Sequence, residues 1–171
     1  MNIRYSTKKD AELLAKIGAE TFWDTYSTSS KLEHAFIKAY ITKTFERNLI
    51  LSEISKDNLV YLIGEIDSES IAYVRLLNGN SRKEISGESP FNISRIYLRK
   101  KFWGKGLGSL LINRCFQEAE KHKSDVIWLS VWNHNERAIT FYEKFGFRKV
   151  GKHFFDLAGS PQLDYLMERK L

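Results

Sequence analysis

Cysteine is almost missing: Cys115 is the only one in 171 residues. A lone thiol cannot build a disulfide framework or a zinc ribbon, and it fits a reducing, cytoplasmic setting. Proline is nearly as scarce, at two residues, and no Pro-, Gly- or Ser-rich stretch marks a linker. No internal repeat is visible. No apolar run approaches the ~18 residues that a membrane span needs, and Met1-Asn2-Ile3-Arg4-Tyr5 lacks the apolar core of a signal peptide. No basic run exceeds Arg99-Lys100-Lys101, so a nucleic-acid tail is not expected. The residues present are globular in kind, with 43% hydrophobic and 28% charged. Such a chain makes one domain, taken as residues 1–171, large enough for a sizeable core.

The net charge is +6, with a pI near 9.3. Taken alone, this fits a nucleic-acid binder, an acidic ligand or nothing in particular. The charge is unevenly placed: residues 1–90 carry a net −1 and residues 91–171 a net +7.

Ile3–Tyr5 reads as a short strand. Thr7 with Asp10 three residues later opens a helix, continued by Leu13, Leu14 and Ile17. Helical spacing returns over about 30–44, and again over about 45–55 as a separate helix or a continuation. Strands over 58–66 and 71–77 flank a hairpin at Asp67-Ser68-Glu69-Ser70, and the polar stretch 78–90 reads as a loop. A strand over 91–98 leads through a glycine-rich turn into a helix with Leu111, Ile112, Cys115, Phe116 and Ala119 on one stripe. A buried-looking strand, Asp125–Trp132, precedes a helix with Ala138, Phe141, Tyr142 and Phe145 at i, i+3, i+4, i+7, stopped by Gly146. Two strands finish the chain. The order implies an α+β fold whose sheet is mostly antiparallel with one parallel part.

The turn Gly104-Lys105-Gly106-Leu107-Gly108 is the most informative segment. A strand, a glycine-rich turn and a helix together bind diphosphates: glycine permits close approach and positive φ, and the free N–H groups of the first helical turn point at the anion. The turn is no Walker A loop, since no Gly-Lys-Ser/Thr closes it. It is no Gly-x-Gly-x-x-Gly either, because Leu111 stands at the third glycine's place. Lys105 adds a charge beside it.

Two stretches carry a family resemblance. Ile96-Tyr97-Leu98, followed by Phe102-Trp103-Gly104-Lys105-Gly106-Leu107-Gly108-Ser109, resembles motif A of the GNAT N-acetyltransferases. Asn135-Glu136-Arg137-Ala138-Ile139-Thr140-Phe141-Tyr142-Glu143-Lys144-Phe145-Gly146-Phe147 resembles their motif B. The gap between them holds one helix and one strand. One departure is visible: Trp103 stands where the family pattern begins with Arg or Gln. The resemblance implies a mixed, mostly antiparallel sheet with a splayed central parallel strand pair and flanking helices. It implies acetyl-CoA as donor, with the pyrophosphate on the amides of Trp103 to Ser109 and the pantetheine arm along Ile96, Tyr97 and Leu98. Asn135 and Lys144 would approach the cofactor.

Acetyl transfer to an amine needs a neutral amine, and an alkylammonium of pKa about 10.4 is only about one part in a thousand neutral near pH 7.4. A base must take that proton, an N–H must face the developing oxyanion, and the leaving thiolate must be protonated. The resemblance makes Tyr142 the acid; by pattern alone it is a core aromatic. The Leu98 backbone is the candidate oxyanion donor. Glu20 is the candidate base, in the cluster Glu20-Thr21-Phe22-Trp23-Asp24-Thr25-Tyr26, although an acid on a solvated helix face is the plainer reading. Trp23 and Asp24 suit a cationic amine through charge and cation–π contact. Tyr97, Trp132 and His153 complete the candidate acceptor side. No metal site is expected.

A narrower resemblance joins Glu20-Thr21-Phe22-x-Asp24-Thr25, Val131-Trp132-x-x-Asn135-Glu136, Gly151-x-His153-x-Phe155 and Gln162-x-Asp164. These are similar to the PaiA-type spermidine/spermine N-acetyltransferases. The implied substrate is a small-molecule primary amine, a polyamine first, taken up by a cytoplasmic monomer or homodimer. The alternatives are another amine (a protein N-terminus, an amino acid, an aminoglycoside), a CoA-binding regulatory module without turnover, and a nucleic-acid-binding domain. The last lacks every standard motif.

Overall fold

The computed structural model describes every residue from Met1 to Leu171. Its strands are β1 (Asn2–Tyr5), β2 (Leu59–Ile66), β3 (Glu69–Asn78), β4 (Pro90–Leu98), β5 (Val126–Trp132), β6 (Arg148–Leu157) and β7 (Ser160–Lys170). Its helices are α1 (Ala11–Tyr26), α2 (His34–Thr44), α3 (Arg47–Ile54), α4 (Leu107–Lys121) and α5 (Glu136–Lys144). One seven-stranded sheet runs in the order β1-β2-β3-β4-β5-β7-β6. Only β4 and β5 run parallel; every other pair is antiparallel. This is the mixed α+β sheet expected from the sequence.

Local chemistry sets the joints. The β2–β3 turn is tighter than the sequence suggests, because only Asp67 and Ser68 lie outside the strands. Both take positive φ, 49° and 66°, the twist-matched geometry of a two-residue hairpin. The helical stretch after Glu33 is two helices, broken at Phe45. The Phe45 ring is buried against Gly18 of α1, where any Cβ would collide with it. Packing therefore pulls the chain out of helical register there.

The strand alternation splits the core in two. Ala72, Val74 and Leu76 of β3 face α4 and α5 with Leu111, Ile112, Ile139 and Tyr142. Tyr73 of β3 faces α1 and α3 with Leu14, Ile17 and Ile50. Cys115 is wholly buried in the first layer, and its thiol donates to the Leu111 carbonyl. Burial pushes that thiol up, so it is core, as its helical stripe implied. The segment 79–89 is pinned along the sheet: Trp128 Nε1 donates to the Asn80 carbonyl, Ser86 donates to Glu168, and the Glu88 and Ser89 amides donate to Asp125.

The start of α1 is clamped. The Asp10 carboxylate accepts from the Thr7 amide at 2.7 Å, from the Thr7 hydroxyl at 2.9 Å, and from both Arg4 terminal nitrogens at 2.9 and 2.8 Å. Arg4 first, and the Thr7 groups with it, hold Asp10 down to about 2. A depressed folded value stabilises the fold above the ordinary pKa of about 3.9 and loses that stabilisation as pH falls towards 2. Arg4 is about a third exposed, which leaves about 1 kcal/mol after solvent screening. Urea unfolding of Asp10→Asn is expected to show that deficit at pH 6 and only a small part of it at pH 2.

Candidate active site

The site begins where β4 and β5 part. They pair only from Pro90 with Val126 to Ile93 with Leu129. On its other edge β4 stays paired with β3 up to Leu98, with one bulge: Arg75 faces Arg95 and Leu76 faces Ile93, so Ser94 is the extra residue. The Arg99 amide donates to the Ile71 carbonyl. By antiparallel alternation, the N–H and C=O groups of Ile96 and Leu98 then turn away from β3 towards the departed β5. They open on a cavity of about 520 Å³ that runs between β4, β5, α4, α5 and the first two helices.

The glycine turn forms one end of this cavity. Gly104 and Gly106 both sit at φ 74°, and Gly106 caps α4 in the left-handed region. A Cβ at either would meet open space, so backbone conformation, not crowding, calls for glycine. Gly108 differs: a Cβ there would lie 3.3 Å from the Phe141 ring. Of the expected amides, those of Trp103 and Ser109 are taken, donating to the Lys100 and Gly106 carbonyls, while the five from Gly104 to Gly108 donate to no group of the protein. Five free donors at a helix N-terminus suit a diphosphate.

Trp103, the departure from the family pattern, has two contacts. Its Nε1 donates to the Leu98 carbonyl at 2.7 Å. Its ring lies under the Arg137 guanidinium of α5, 3.3 Å from ring centroid to Cζ. A cation thus stands beside the turn after all, delivered from motif B. This arrangement occupies the Leu98 carbonyl and leaves the Leu98 N–H facing the opening. Asn135 caps α5, its side-chain oxygen accepting from the Ala138 amide at 3.2 Å, which leaves its NH2 group for the cavity it lines.

Tyr142 lines the cavity from α5. Burial first, then the neighbouring Cys115, pushes its hydroxyl well above the ordinary value, so it carries its proton at every physiological pH. Beyond it lies an aromatic half walled by Phe22, Tyr26, Tyr40, Trp132 and Phe155. Tyr26 packs on Trp132 at 5.3 Å and Tyr40 on Phe155 at 5.1 Å between centroids. Tyr97 lines the same half, with Arg95 beside it; the Arg95 Nη1 and Trp132 Nε1 donors are buried without partners.

The structure gathers Ile96, Tyr97, Leu98, Trp103, Gly104, Gly106, Leu107, Gly108, Ser109, Trp132, Asn135 and Tyr142 around this one cavity. Other candidates fall outside it. Glu20 pairs with Arg99 at 3.0 Å on the surface, so its carboxylate is committed to a partner that sequence spacing did not reveal. Trp23 is packed against His34 and Lys38, and Asp24 is half-buried beyond the cavity wall. Lys105 lies over the Phe102 ring. Lys144 lines a shallow hollow next door, together with Arg137. His153 sits just behind the wall, its Nε2 3.9 Å from Asp164 Oδ2.

Asp164 itself, on β7, is the one acid that lines the cavity. It was part of a resemblance motif with no role attached. The available signal was a single acid inside the apolar strand Leu163-Asp164-Tyr165-Leu166-Met167, a placement that costs free energy unless the carboxylate is paired or hydrogen-bonded. Arg137 was likewise passed over, although the missing Arg or Gln at Trp103 asked for a replacement cation.

Splayed parallel strands, a free-amide turn at a helix N-terminus and the Tyr142 hydroxyl meet at one cavity, an arrangement suited to a diphosphate-bearing ligand. Residues 19–147 match the acetyltransferase (GNAT) family. An uncharacterized N-acetyltransferase in the pepI 3'region of Lactobacillus delbrueckii subsp. lactis is 30% identical over 165 residues, covering 96% of this chain and 94% of that protein. A spermine/spermidine N(1)-acetyltransferase of Bacillus subtilis is 34% identical over 65 residues, 37% of this chain and 43% of its own. Among solved structures, the PaiA N-acetyltransferase from Thermoplasma acidophilum, in complex with coenzyme A, superposes with a TM-score of 0.78 at 23% identity over the whole of both chains. The chain belongs to the acetyltransferase (GNAT) family and is an N-acetyltransferase, with acetyl-CoA as its acetyl donor. Arg137→Ala is expected to weaken CoA binding about fivefold, about 1 kcal/mol, in a titration calorimeter at low salt, and less at high salt.

Proposed function

We propose that this protein acetylates a primary amine by direct attack within the cavity, with a polyamine as the acceptor class. One observation carries the reading: a single cavity joins the free-amide turn, through Gly104, Gly106, Leu107 and Gly108, a proton-bearing Tyr142 and an aromatic half with one carboxylate. Acetyl-CoA supplies a thioester whose carbonyl carbon the amine attacks. The amides of Gly104 to Gly108, with Arg137 beside them, hold its diphosphate. The Ile96 backbone groups align its pantetheine arm as an added strand would, while the Leu98 carbonyl stays with Trp103. The Leu98 N–H stabilises negative charge on the carbonyl oxygen. Tyr142 donates its proton to the departing sulfur. The aromatic walls exclude water and favour an alkylammonium.

The polyamine class is supported by the similarity to the Bacillus subtilis spermine/spermidine acetyltransferase over its matching segment. A second reading has its own support. Arg95, a cation that lines the cavity, suits an acceptor with a carboxylate or carbonyl near its amine, as in an amino acid or a peptide N-terminus. Initial rates on spermidine, spermine, simple diamines, amino acids and a short peptide separate the two. Spermidine with the highest kcat/KM supports the first reading. Spermidine no faster than unrelated amines ends it, and a preference for amino acids or the peptide establishes the second.

A further inference from the structure

The reaction needs a proton acceptor for an ammonium, and the sequence candidate, Glu20, is bound to Arg99 away from the cavity. The cavity offers one other carboxylate. Asp164 lies on β7 directly opposite Trp132, the last residue of β5. The β4–β5 pairing ends three residues earlier, at Leu129. Asp164 is therefore level with the opening where the thioester must lie. Its side chain is 10% exposed, and no cation pairs with it closely: the nearest basic group is the His153 imidazole at 3.9 Å. Around it stand Tyr26, Tyr40, Trp132 and Phe155, which wall the same half of the cavity.

We propose, on the basis of the amine-acetyltransferase reading, that Asp164 seats the acceptor's ammonium inside this aromatic box and takes its proton. A buried carboxylate flanked by ring faces recognises a cation by charge and by the ring quadrupoles. The amine enters as R–NH3⁺. One proton passes to the Asp164 carboxylate, which frees the nitrogen lone pair. The C–N bond forms and the C–S bond breaks. Tyr142 gives its proton to the sulfur, and the nitrogen's second proton restores the Tyr142 hydroxyl. The products are the acetamide, the free thiol of CoA and one proton, which leaves Asp164. His153 offers that proton a way out: its Nδ1 lies 3.1 Å from the Phe154 carbonyl, and its unpartnered Nε2 is turned towards Asp164.

Several groups act on this carboxyl. Burial raises Asp164 to about 6, against the Ser130 hydroxyl from β5 and Arg82 from the 79–89 segment, which pull it down. From β6, His153 is itself lowered, by burial first and then by Arg82 against the pull of the Phe154 carbonyl and Glu84. From α1, Tyr26 is pushed up by burial and by Asp164, so it stays neutral. Tyr40 on α2, with Tyr97 and Arg95 on β4, makes up the other titratable or charged wall. A base of this kind works when ionised, so kcat/KM must fall as pH drops through about 6.

The test uses the full-length protein with its best amine from the panel. Asp164→Asn keeps the shape of the side chain. It is expected to lower kcat/KM at pH 7 about 100-fold, to leave CoA affinity within twofold, and to recover part of the loss at pH 9 to 10, where more free amine is present. A merely structural role would not produce that recovery. The unaltered enzyme and His153→Gln are both expected to show the acid limb near pH 6, which needs no folded Asp164 variant. Asp164→Asn within threefold of the parent at pH 7 would overturn the proposal. So would an acid limb that vanishes in His153→Gln. If the unaltered protein turns over no amine, the acetyltransferase reading falls first and takes this proposal with it.

Discussion

Tyr142→Phe is expected to lower kcat about 100-fold while acetyl-CoA affinity stays within a factor of about two. The ring is retained, so its contacts with Phe141 and Phe147 survive, and only the hydroxyl is lost. That hydroxyl is buried and held protonated by its surroundings, which suits an acid that must deliver its proton late, to a sulfur already carrying charge. Removing a positioned proton donor typically costs 100-fold or more, about 2.7 kcal/mol of barrier. Were Tyr142 only core packing, as its place on an apolar helical stripe also permits, Phe would be almost neutral in every respect. Stopped-flow measurement of kcat with a separate binding titration distinguishes the two outcomes.

Gly106→Val is expected to act on the other arm of the reaction, weakening acetyl-CoA binding at least 100-fold. At φ 74° a non-glycine residue costs about 1–2 kcal/mol, and a β-branched one is a steric outlier. The space around the position is empty, so the side chain itself collides with nothing distant. The turn relieves the strain by moving its backbone, and the five amides from Gly104 to Gly108 lose their common aim. The fold should survive with a melting temperature lower by several degrees, because the core packs elsewhere. Gly108→Ala is the informative contrast: it needs only a slight shift of Phe141 and should bind within a few-fold of the parent. Lys105→Ala, which removes a solvated charge resting on Phe102, should also have a small effect.

The diphosphate turn was legible in the sequence because its chemistry is local. Strand, glycines and helix start are contiguous, and backbone conformation alone makes the donors available. Tyr142 stood out only through the resemblance of motif B, since its apolar helical stripe alone reads as core. The acceptor half was legible only in Tyr97 and Trp132, since its walls come from different elements: Tyr26 from α1, Tyr40 from α2, Trp132 from β5, Phe155 from β6 and Asp164 from β7. No spacing rule brings such residues together; the sheet order does. Glu20 shows the reverse failure. Its cluster of acids and aromatics looked like a cation site, yet Arg99 from the end of β4 closes on it, and Lys38 already lies over Trp23. The helix break at Phe45 was open for a similar reason, because it depends on a ring meeting Gly18 of another helix.

The charge imbalance gains a location as well. Part of the C-terminal surplus is Arg137, stacked on Trp103 at the mouth of the diphosphate turn. The acceptor half carries one carboxylate and one buried arginine, Asp164 and Arg95. The basic pI is thus at least partly the setting of a polyanionic donor. The slight acidity of residues 1–90 is no description of the acceptor pocket, because the pocket's only acid lies near the other end of the chain.

The central claim is that this cavity passes an acetyl group from acetyl-CoA to an amine. Its most direct test follows free thiol and acetylated amine together, by a thiol reagent and by mass spectrometry, with the purified protein, acetyl-CoA and each amine of the panel. The account predicts thiol release that requires a primary amine, equals the N-acetyl product mole for mole, and falls about 100-fold in Tyr142→Phe. Tight binding of acetyl-CoA with no amine-dependent thiol release across the whole panel would contradict it, and would leave a CoA-binding module without turnover.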